Sequence, residues 1–347
     1  MNALGRSQML AGEIVEARET HEATFEIAGR IDAVELQAEA AIAFETAGWL
    51  PGYDGTPAVN LLNRVLAKIP SDDSVLRARA LASLGRAFNY SGSLESALAA
   101  GRSAIAMARR IGDPEVLAFT LWSRLPIRSD PSDIHERIAL AREAIGICEK
   151  LGRHDMAIEA DAWLINDVLE IGDADSIEPL IESWRARLKN SRIPMWQFNL
   201  LTIEMGTAFR LGHFDEAERL TGEVLKWGRE LRDLDAAGVH GGMMFALRRE
   251  QGRLDEVRPA LELFLKLNPS GAWRPGLALL YAELDMRQEA RGEFERLADD
   301  DFASIKRDGL FTTTIVNMAD VCVYLLLSEL SHLRKSESGS ASTPLEE

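Results

Sequence analysis

The sequence predicts an all-α fold made of helical hairpins with a 40-residue repeat, and two series of turn-type residues indicate it. One series, spaced by 40 residues, is Gly12, Gly52, Gly92, Ser132, Gly172, Gly212 and Gly252. The other, with the same spacing, is Asp32, Asp72, Gly112, Gly152, Arg192 and Arg232. Turns therefore fall about every 20 residues, which is typical of a solenoid in which each hairpin buries its apolar face against the next.

The composition supports a helical chain. Of the 347 residues, 46% are apolar and only 7% are aromatic. Ala, Leu, Glu and Arg are abundant, and they are strong helix formers. Long alternating runs of Val, Ile and Thr are missing, so we expect little or no β-sheet.

Apolar positions recur with the same period. One column consists of Leu94, Ile134, Ala174, Phe214 and Leu254. Within a repeat, apolar residues lie three or four positions apart, which places them on one face of a helix. Because the core of a solenoid grows lengthwise, we expect a single helical-repeat domain over residues 1–330. The tail 331–347 is polar and without periodicity, so it is expected to be disordered.

Local signals place the individual helices. Residues 71–73, Ser-Asp-Asp, offer N-cap side chains, and Asp113 with Pro114 forms an N-cap followed by a first-turn proline. Pro126 should end or kink the helix that begins at Pro114. Helix 175–189 should turn Ile177, Ile181, Trp184 and Leu188 inward. The other predicted helices are 12–28, 33–47, 58–68, 74–90, 94–110, 133–150, 154–170, 195–210, 214–231, 234–250, 254–267, 273–284, 287–298 and 311–330.

Charge and cysteine usage restrict the partners and the compartment. The formal net charge of −16 disfavours nucleic-acid binding. Cys148 and Cys322 are far apart and lie in apolar stretches, so we expect buried thiols in a reducing cytoplasm. The N-terminus has no secretory pattern. The most apolar stretch, 315–330, is interrupted by Asp320 and Glu329, which favours a buried helix over a membrane span.

No catalytic, cofactor or metal site is expected. The sequence has no GxxxxGK[ST] phosphate loop, and no histidine pair has HExxH spacing. His240-Gly241-Gly242 matches an oxyanion motif of esterases, but no GxSxG elbow accompanies it. Small residues at that point favour close helix packing instead.

Three tryptophans are the candidate protein-binding residues. Trp122, Trp163 and Trp196 fall in the first helices of successive hairpins, and three polar residues lie near them in sequence: Arg124, Asn166 and Asn199. The tryptophans either pack between hairpins or contact a partner, since Trp and Arg are enriched at binding hot spots.

Several segments resemble tetratricopeptide repeats; in GHFDEAERL, Ala217 matches the small residue of the second helix. Over residues 1–325 the chain also resembles the C-terminal helical-repeat region of bacterial signalling regulators. In those proteins a class III nucleotide cyclase or LuxR-type domain precedes a P-loop ATPase. Four segments support the resemblance: GDPEVLA (112–118), FALRREQGRLDEV (245–257), AWRPGLALLYAEL (272–284) and LADDDFASIKRDGLFTTT (297–314). The resemblance implies a tetratricopeptide-like, right-handed solenoid that holds a protein or peptide in its concave groove.

Two departures from that family affect the functional prediction. The cyclase and ATPase parts are absent, and the C-terminal end stops short, so we expect a truncated product or a split-gene remnant. The predicted function is a non-catalytic regulatory and protein-interaction module of bacterial signal transduction or transcriptional regulation. The alternative is a detached portion of an adenylate or guanylate cyclase, or of an ATPase-containing regulator, whose enzymatic domains lie upstream.

The last predicted helix is apolar around much of its circumference. Its apolar residues are Val316, Val321, Val323, Leu325, Leu326, Leu327 and Leu330. A helix that is apolar on all sides requires burial on all sides. We therefore expect that the isolated chain either self-associates through residues 311–330 or is unstable there.

Overall fold

The computed structural model describes residues 1–11, 13–48, 54–128, 133–189, 194–231, 236–267, 273–299, 301–302, 305 and 311–340. Over these residues the chain forms seventeen α-helices and no β-strand, which confirms the all-α prediction. It divides into two compact units. One comprises Met1–Leu200 with a short stretch near residue 230, and the other comprises Leu201–Arg229 and the chain from Ala236 onward.

The helices of the first unit end with the start of α11. They are α1 (Asn2–Leu10), α2 (Ile14–Arg30), α3 (Val34–Ala47), α4 (Thr56–Leu66), α5 (Val75–Tyr90), α6 (Leu94–Ile111), α7 (Pro114–Arg124), α8 (Ile134–Leu151), α9 (His154–Glu170), α10 (Ala174–Leu188) and α11 (Pro194–Arg210). The remaining helices are α12 (Phe214–Leu231), α13 (Ala236–Glu250), α14 (Arg258–Leu267), α15 (Arg274–Glu283), α16 (Arg287–Ala298) and α17 (Phe311–Ser340).

Residues with a left-handed backbone conformation end the helices at the predicted interval. The glycines with positive φ are Gly92, Gly112, Gly152, Gly172, Gly212 and Gly252. Asp32 has the same conformation, with φ of 54°. Glycine adopts this conformation without a Cβ clash, which is why it punctuates the repeat. Asp72 differs because it lies in the longer connection between α4 and α5. Gly12, Gly52, Ser132, Arg192 and Arg232 lie outside the described residues.

Capping agrees with the sequence at one helix and differs at another. Asp113 Oδ1 accepts a hydrogen bond of 2.8 Å from the backbone N–H of Glu115, as predicted. The N-cap of α5 is Ser74, whose hydroxyl accepts from the N–H of Arg77, and not a residue of 71–73. Ser74 directly precedes the first helical residue, and its extended backbone brings the hydroxyl within reach of that N–H.

Three helical elements differ from the predictions by more than a shift of one or two residues at a helix end. α1 was not predicted, because Asn2–Leu10 has little amphipathic pattern. Leu254–Glu256 is a short 3-10 turn, since Pro259 in the first turn of α14 cannot donate to an earlier carbonyl. α17 continues to Ser340, so residues 331–340 are helical where disorder was expected; Leu333, Arg334 and Lys335 are good helix formers. Residues 341–347 lie outside the described chain.

Small residues set the helix spacing in the first unit. At Gly85 of α5, a Cβ atom would lie 3.1 Å from the carbonyl oxygen of Ala97 on α6.

The predicted inward residues of α10 are all buried, and Trp184 Nε1 donates to the carbonyl of Ile158 at 2.8 Å. Cys148 is buried, whereas Cys322 is half-buried.

The second unit has its own core. The buried side chains of one cluster are Leu254, Leu265, Leu277 and Leu280, and α17 adds Val321 and Leu325 to a second cluster. The His240-Gly241-Gly242 segment lies within α13. A Cβ atom at Gly242 would lie 2.9 Å from the ring of Trp273, so this glycine permits close packing as expected.

Candidate functional site

The first helices of successive hairpins stack on one another in the first unit. α3 packs against α5, and α5 packs against α7. Ala118 and Trp122 of α7 share a hydrophobic cluster with Met156 and Ala157 of α9. Side chains at equivalent points of α3, α5, α7 and α9 therefore form one continuous row.

A buried ion pair joins α3 to α5 in this row. Arg86 Nη2 lies 2.5 Å from Glu45 Oε2, and both side chains are only 2% exposed. Arg86 also donates to the hydroxyl of Thr46 at 3.2 Å. Burial raises the pKa of Glu45, and the charge of Arg86 opposes that shift. Within the described chain, Arg86 Nε has no hydrogen-bond partner.

Arg86 also contacts the aromatic side chains of α7. Its guanidinium carbon lies 4.1 Å from the centre of the Trp122 ring and 5.7 Å from that of Phe119. The two rings are themselves 5.7 Å apart. A desolvated guanidinium over a tryptophan face is a favourable cation–π arrangement. Arg86 thus connects the carboxylate of α3 to the aromatic pair of α7.

A buried carboxylate on α9 continues the row. Burial raises the pKa of Glu159 to about 7, against the opposing effects of Arg86 and of the indoles of Trp122 and Trp163. The Trp122 N–H is buried and does not complete a well-aligned hydrogen bond to any described group. Burial and the charge of Glu159 raise the pKa of Tyr90 on α5 well above its usual range. Glu159 therefore changes its protonation near neutral pH.

A second charged cluster lies beside this row, where α7 ends, α8 begins and α9 ends. It contains three cations and three anions: Arg124, Arg128, Arg137, Asp133, Asp167 and Glu170. Asp133 accepts from Arg124 at 3.0 Å and also pairs with Arg137. Asp167 pairs with Arg137 at 3.1 Å and with Arg128 at 2.7 Å. The cluster is neutral overall and links the three helices.

The six predicted binding residues differ in accessibility. Trp122, Arg124 and Trp196 are buried. Trp163 and Asn199 are half-buried, and Asn166 is exposed. Trp163 lies 5.8 Å from the guanidinium of Arg128. Asn166 donates to the carbonyl of Ala162 at 3.0 Å.

The structure brings some of these residues together and adds others. Trp122 and Trp163 both face Glu159, whereas Arg124 belongs to the charged cluster. Glu45, Arg86 and Glu159 were not predicted from the sequence as members of the site. One signal was available: residues of opposite charge that are one repeat apart, such as Glu45 and Arg86, which are separated by 41 positions.

The accessible part of the row is aromatic and polar. Trp163, Asn166 and the partly exposed Arg128 lie at its edge, while Arg86, Trp122 and Glu159 lie beneath. Among the described residues no group of three or more His, Cys, Asp or Glu side chains is arranged to hold a metal ion. The arrangement is suited to recognition, because fixed charges and aromatic faces are preorganised next to accessible donors.

No family model matches this chain, and no curated protein matches it in sequence. Solved structures do match it, each at 12% identity. A Rap protein complexed with Competence and Sporulation Factor has a TM-score of 0.66, with 97% of both chains covered. The quorum sensor NprR from B. thuringiensis, in its apo form, has a TM-score of 0.52, with 92% of this chain and 97% of NprR covered.

A third matching structure is aspartyl phosphate phosphatase F from Bacillus subtilis. Its TM-score is 0.51, and 81% of this chain and 75% of that protein are covered. These likenesses show the fold, which consists of tetratricopeptide-like helical repeats. None of the three is described as a cyclase or a LuxR-type regulator, so that part of the sequence resemblance stays a prediction.

Proposed function

We propose that this chain is a non-catalytic regulatory module that binds a peptide or protein segment along the row formed by α3, α5, α7 and α9. The observation that supports this proposal most directly is the convergence of Arg86, Trp122, Glu159 and Trp163 from three successive hairpins. Buried charges cost folding stability unless they are paired. A charged and aromatic row of this kind is therefore more consistent with recognition than with simple core packing.

The ligand should present a cationic group. With Glu159 ionised, the group formed by Glu45, Arg86 and Glu159 has two negative charges and one positive charge. An ammonium or guanidinium group would balance that excess and could pack against Trp163. A peptide N-terminus or a Lys or Arg side chain supplies such a group.

The likeness in fold is consistent with this role. The Rap structure contains a bound Competence and Sporulation Factor, and NprR is described as a quorum sensor. By analogy with these proteins, the module would act in bacterial signal transduction in the cytoplasm and would respond to its ligand by altering a partner protein. Fold-level analogy gives the class of function and not the identity of the ligand.

Selection from a random peptide display library tests the proposal. Enriched peptides are synthesised, and their affinities for the folded full chain are measured by fluorescence anisotropy. Trp163→Ala should weaken binding about tenfold or more. Trp227→Ala serves as the control, because Trp227 is also partly exposed but lies on α12; it should leave the affinity unchanged.

The charge requirement is tested with the same peptides. Glu159→Gln should weaken peptides that have a cationic group and should leave analogues in which that group is neutral unchanged. The proposal fails if no peptide is enriched, or if the enriched peptides bind Trp163→Ala and wild-type protein equally.

A further inference from the structure

The outer face of α17 exposes a line of apolar side chains. We call it the α17 stripe and define it as Val316, Ala319, Val323, Leu326 and Leu330, all of which are exposed. Val316 is 53% exposed and Leu330 is 57% exposed. Ile315 and Leu327 flank the stripe and are also exposed. A contiguous apolar surface of this kind is uncommon on a monomeric protein.

Contacts on the opposite face of the helix fix the direction of the stripe. Met318, Val321 and Leu325 are buried, and α17 packs against α15 and α16. The Tyr324 hydroxyl donates to Asp285 Oδ1 at 2.7 Å. Because these contacts hold the helix by its other face, the stripe points away from its own unit.

Ion pairs on both flanks strengthen this arrangement. Arg249 of α13 pairs with Asp320 at 3.2 Å. Arg291 of α16 pairs with Glu329. A rotation of α17 that turned the stripe inward would break both pairs and expose Val321, so the stripe requires a cover from outside its unit.

The spacing of the stripe identifies the kind of cover. Its residues are separated by three, four, three and four positions, which is the heptad pattern of positions a and d in a coiled coil. Val316, Val323 and Leu330 occupy position a, and Ala319 and Leu326 occupy position d. Val316 and Val323 are β-branched residues at a and Leu326 is a leucine at d, the combination that favours two parallel strands; Leu330 at a and Ala319 at d depart from it. We propose that a second copy of this chain covers the stripe, with α17 packed in parallel against α17.

The available area fits a dimer. The large apolar side chains of the stripe and its two flanking residues are each 43–58% exposed. Pairing them across two copies gives an interface at the lower end of the specific size range, which begins at about 1,000 Å². Leu327 lies at the edge of each helix and would cover the a and d layers. The apolar side chains of two symmetric copies would therefore bury each other without any additional partner.

A lipid bilayer is the competing cover. Phe311–Leu330 is long and apolar enough to cross a membrane, and 22% of that stretch is buried in the protein. Insertion would take Asp320 and Glu329 into hydrocarbon and separate them from Arg249 and Arg291, at high cost. Insertion would also remove Met318, Val321 and Leu325 from the contacts that bury them in their own unit. These features favour the second copy.

The association state of the full chain tests the proposal. Sedimentation velocity at tens of micromolar should show a dimer for the wild type and a monomer for Leu326→Glu/Leu330→Glu. Leu36→Glu is the matched control, since Leu36 is 50% exposed on α3; that variant should remain dimeric. Circular dichroism establishes that each variant is folded.

Cross-linking tests the orientation. In a Cys322→Ser background, Leu326→Cys should form a covalent dimer on mild oxidation, because like residues at position d face each other only when the helices are parallel. Cys148 is buried and should not interfere. A dimer without this cross-link overturns the parallel arrangement.

Two other results overturn the proposal as a whole. One is that the wild type is a monomer. Co-sedimentation of that monomer with phosphatidylcholine–phosphatidylglycerol vesicles would identify a membrane as the cover, and its absence would indicate that the stripe is covered within its own chain. The other is a dimer that persists in Leu326→Glu/Leu330→Glu.

Discussion

Glu45 of α3 and Arg86 of α5 form an ion pair of 2.5 Å whose two side chains are almost completely shielded from water. The residues are 41 positions apart, so they occupy nearly the same place in successive repeats. The pair joins the first helices of two hairpins and places the guanidinium against Trp122. The ion pair therefore both stabilises the packing of α3 against α5 and positions the Arg86 guanidinium in the candidate site.

Loss of one partner of this pair should be strongly destabilising. Arg86→Gln leaves the Glu45 carboxylate buried without its counter-charge, and we expect the free energy of unfolding to fall by about 3–5 kcal/mol. Replacing both residues by leucine should cost less than Arg86→Gln, because no uncompensated charge remains. Urea denaturation followed by circular dichroism compares the two variants with the wild type.

An exposed pair in the same unit provides the control. Arg64 and Glu26 lie 2.8 Å apart, and their side chains are 54% and 48% exposed. Arg64→Gln should lower the free energy of unfolding by no more than about 1 kcal/mol. Equal losses for Arg86→Gln and Arg64→Gln would contradict the assignment of Arg86 as a buried charge.

The buried carboxylate of Glu159 should make stability depend on pH. Burial raises its pKa from the ordinary value of 4.5 to about 7, so between these pH values the folded protein retains a proton that the unfolded chain has released. The contribution of Glu159 is therefore fully present below pH 4.5 and is lost as the pH rises towards 7. Glu159→Gln removes this dependence.

The measurement is the difference in unfolding free energy between Glu159→Gln and the wild type. From acidic to mildly alkaline pH, the unfolding free energy of Glu159→Gln should rise relative to that of the wild type by on the order of 3 kcal/mol. Asp161 lies on the same helix, and burial raises its pKa to about 6. Because it titrates in both proteins, its effect cancels in the difference. Parallel pH profiles for the two proteins would show that Glu159 is not buried as described.

The fold was predictable because its determinants are local and repeated. A glycine such as Gly112 or Gly172 is needed wherever the chain must adopt a positive φ after a helix, so the turns appear directly in the sequence. Apolar residues at three- and four-residue spacing identified the helices between these turns. The end of α17 was missed, because helix formation past residue 330 depends on propensity and not on an apolar pattern.

The candidate site was predictable only in part, since burial there depends on partners in other repeats. Arg86 and Glu159 resemble solvated helix residues until the residues opposite them are known. Trp122 and Trp163 occupy similar places one repeat apart, yet the structure buries the first and leaves the second accessible. The difference arises because Trp122 belongs to a buried cluster with Cys148 of α8 and Met156 of α9.

The two tryptophans should therefore differ in their effects on stability. Trp122→Ala removes a ring that is 7% exposed, and we expect a loss of about 3–5 kcal/mol in unfolding free energy. Trp163→Ala removes a half-buried ring, so its loss should be less than about half of that. Thermal and urea denaturation measure both values. A larger loss for Trp163→Ala would mean that this residue belongs to the core and not to the binding surface.

Glycines with opposite roles in neighbouring helices test the turn assignment. Gly112 ends α6 with φ of 75°, a conformation that costs an L-residue about 1–2 kcal/mol. Gly146 lies within α8, and a Cβ atom there would meet nothing within 4 Å. Gly112→Ala should thus be destabilising by about 1–2 kcal/mol, whereas Gly146→Ala should be stabilising by about 0.5–1 kcal/mol because alanine is the better helix former. Both changes add a single methyl group, so burial of new apolar surface cannot explain opposite signs. Urea denaturation of the two variants and the wild type measures the effect, and a neutral or stabilising Gly112→Ala would show that the left-handed turn is not required at this position.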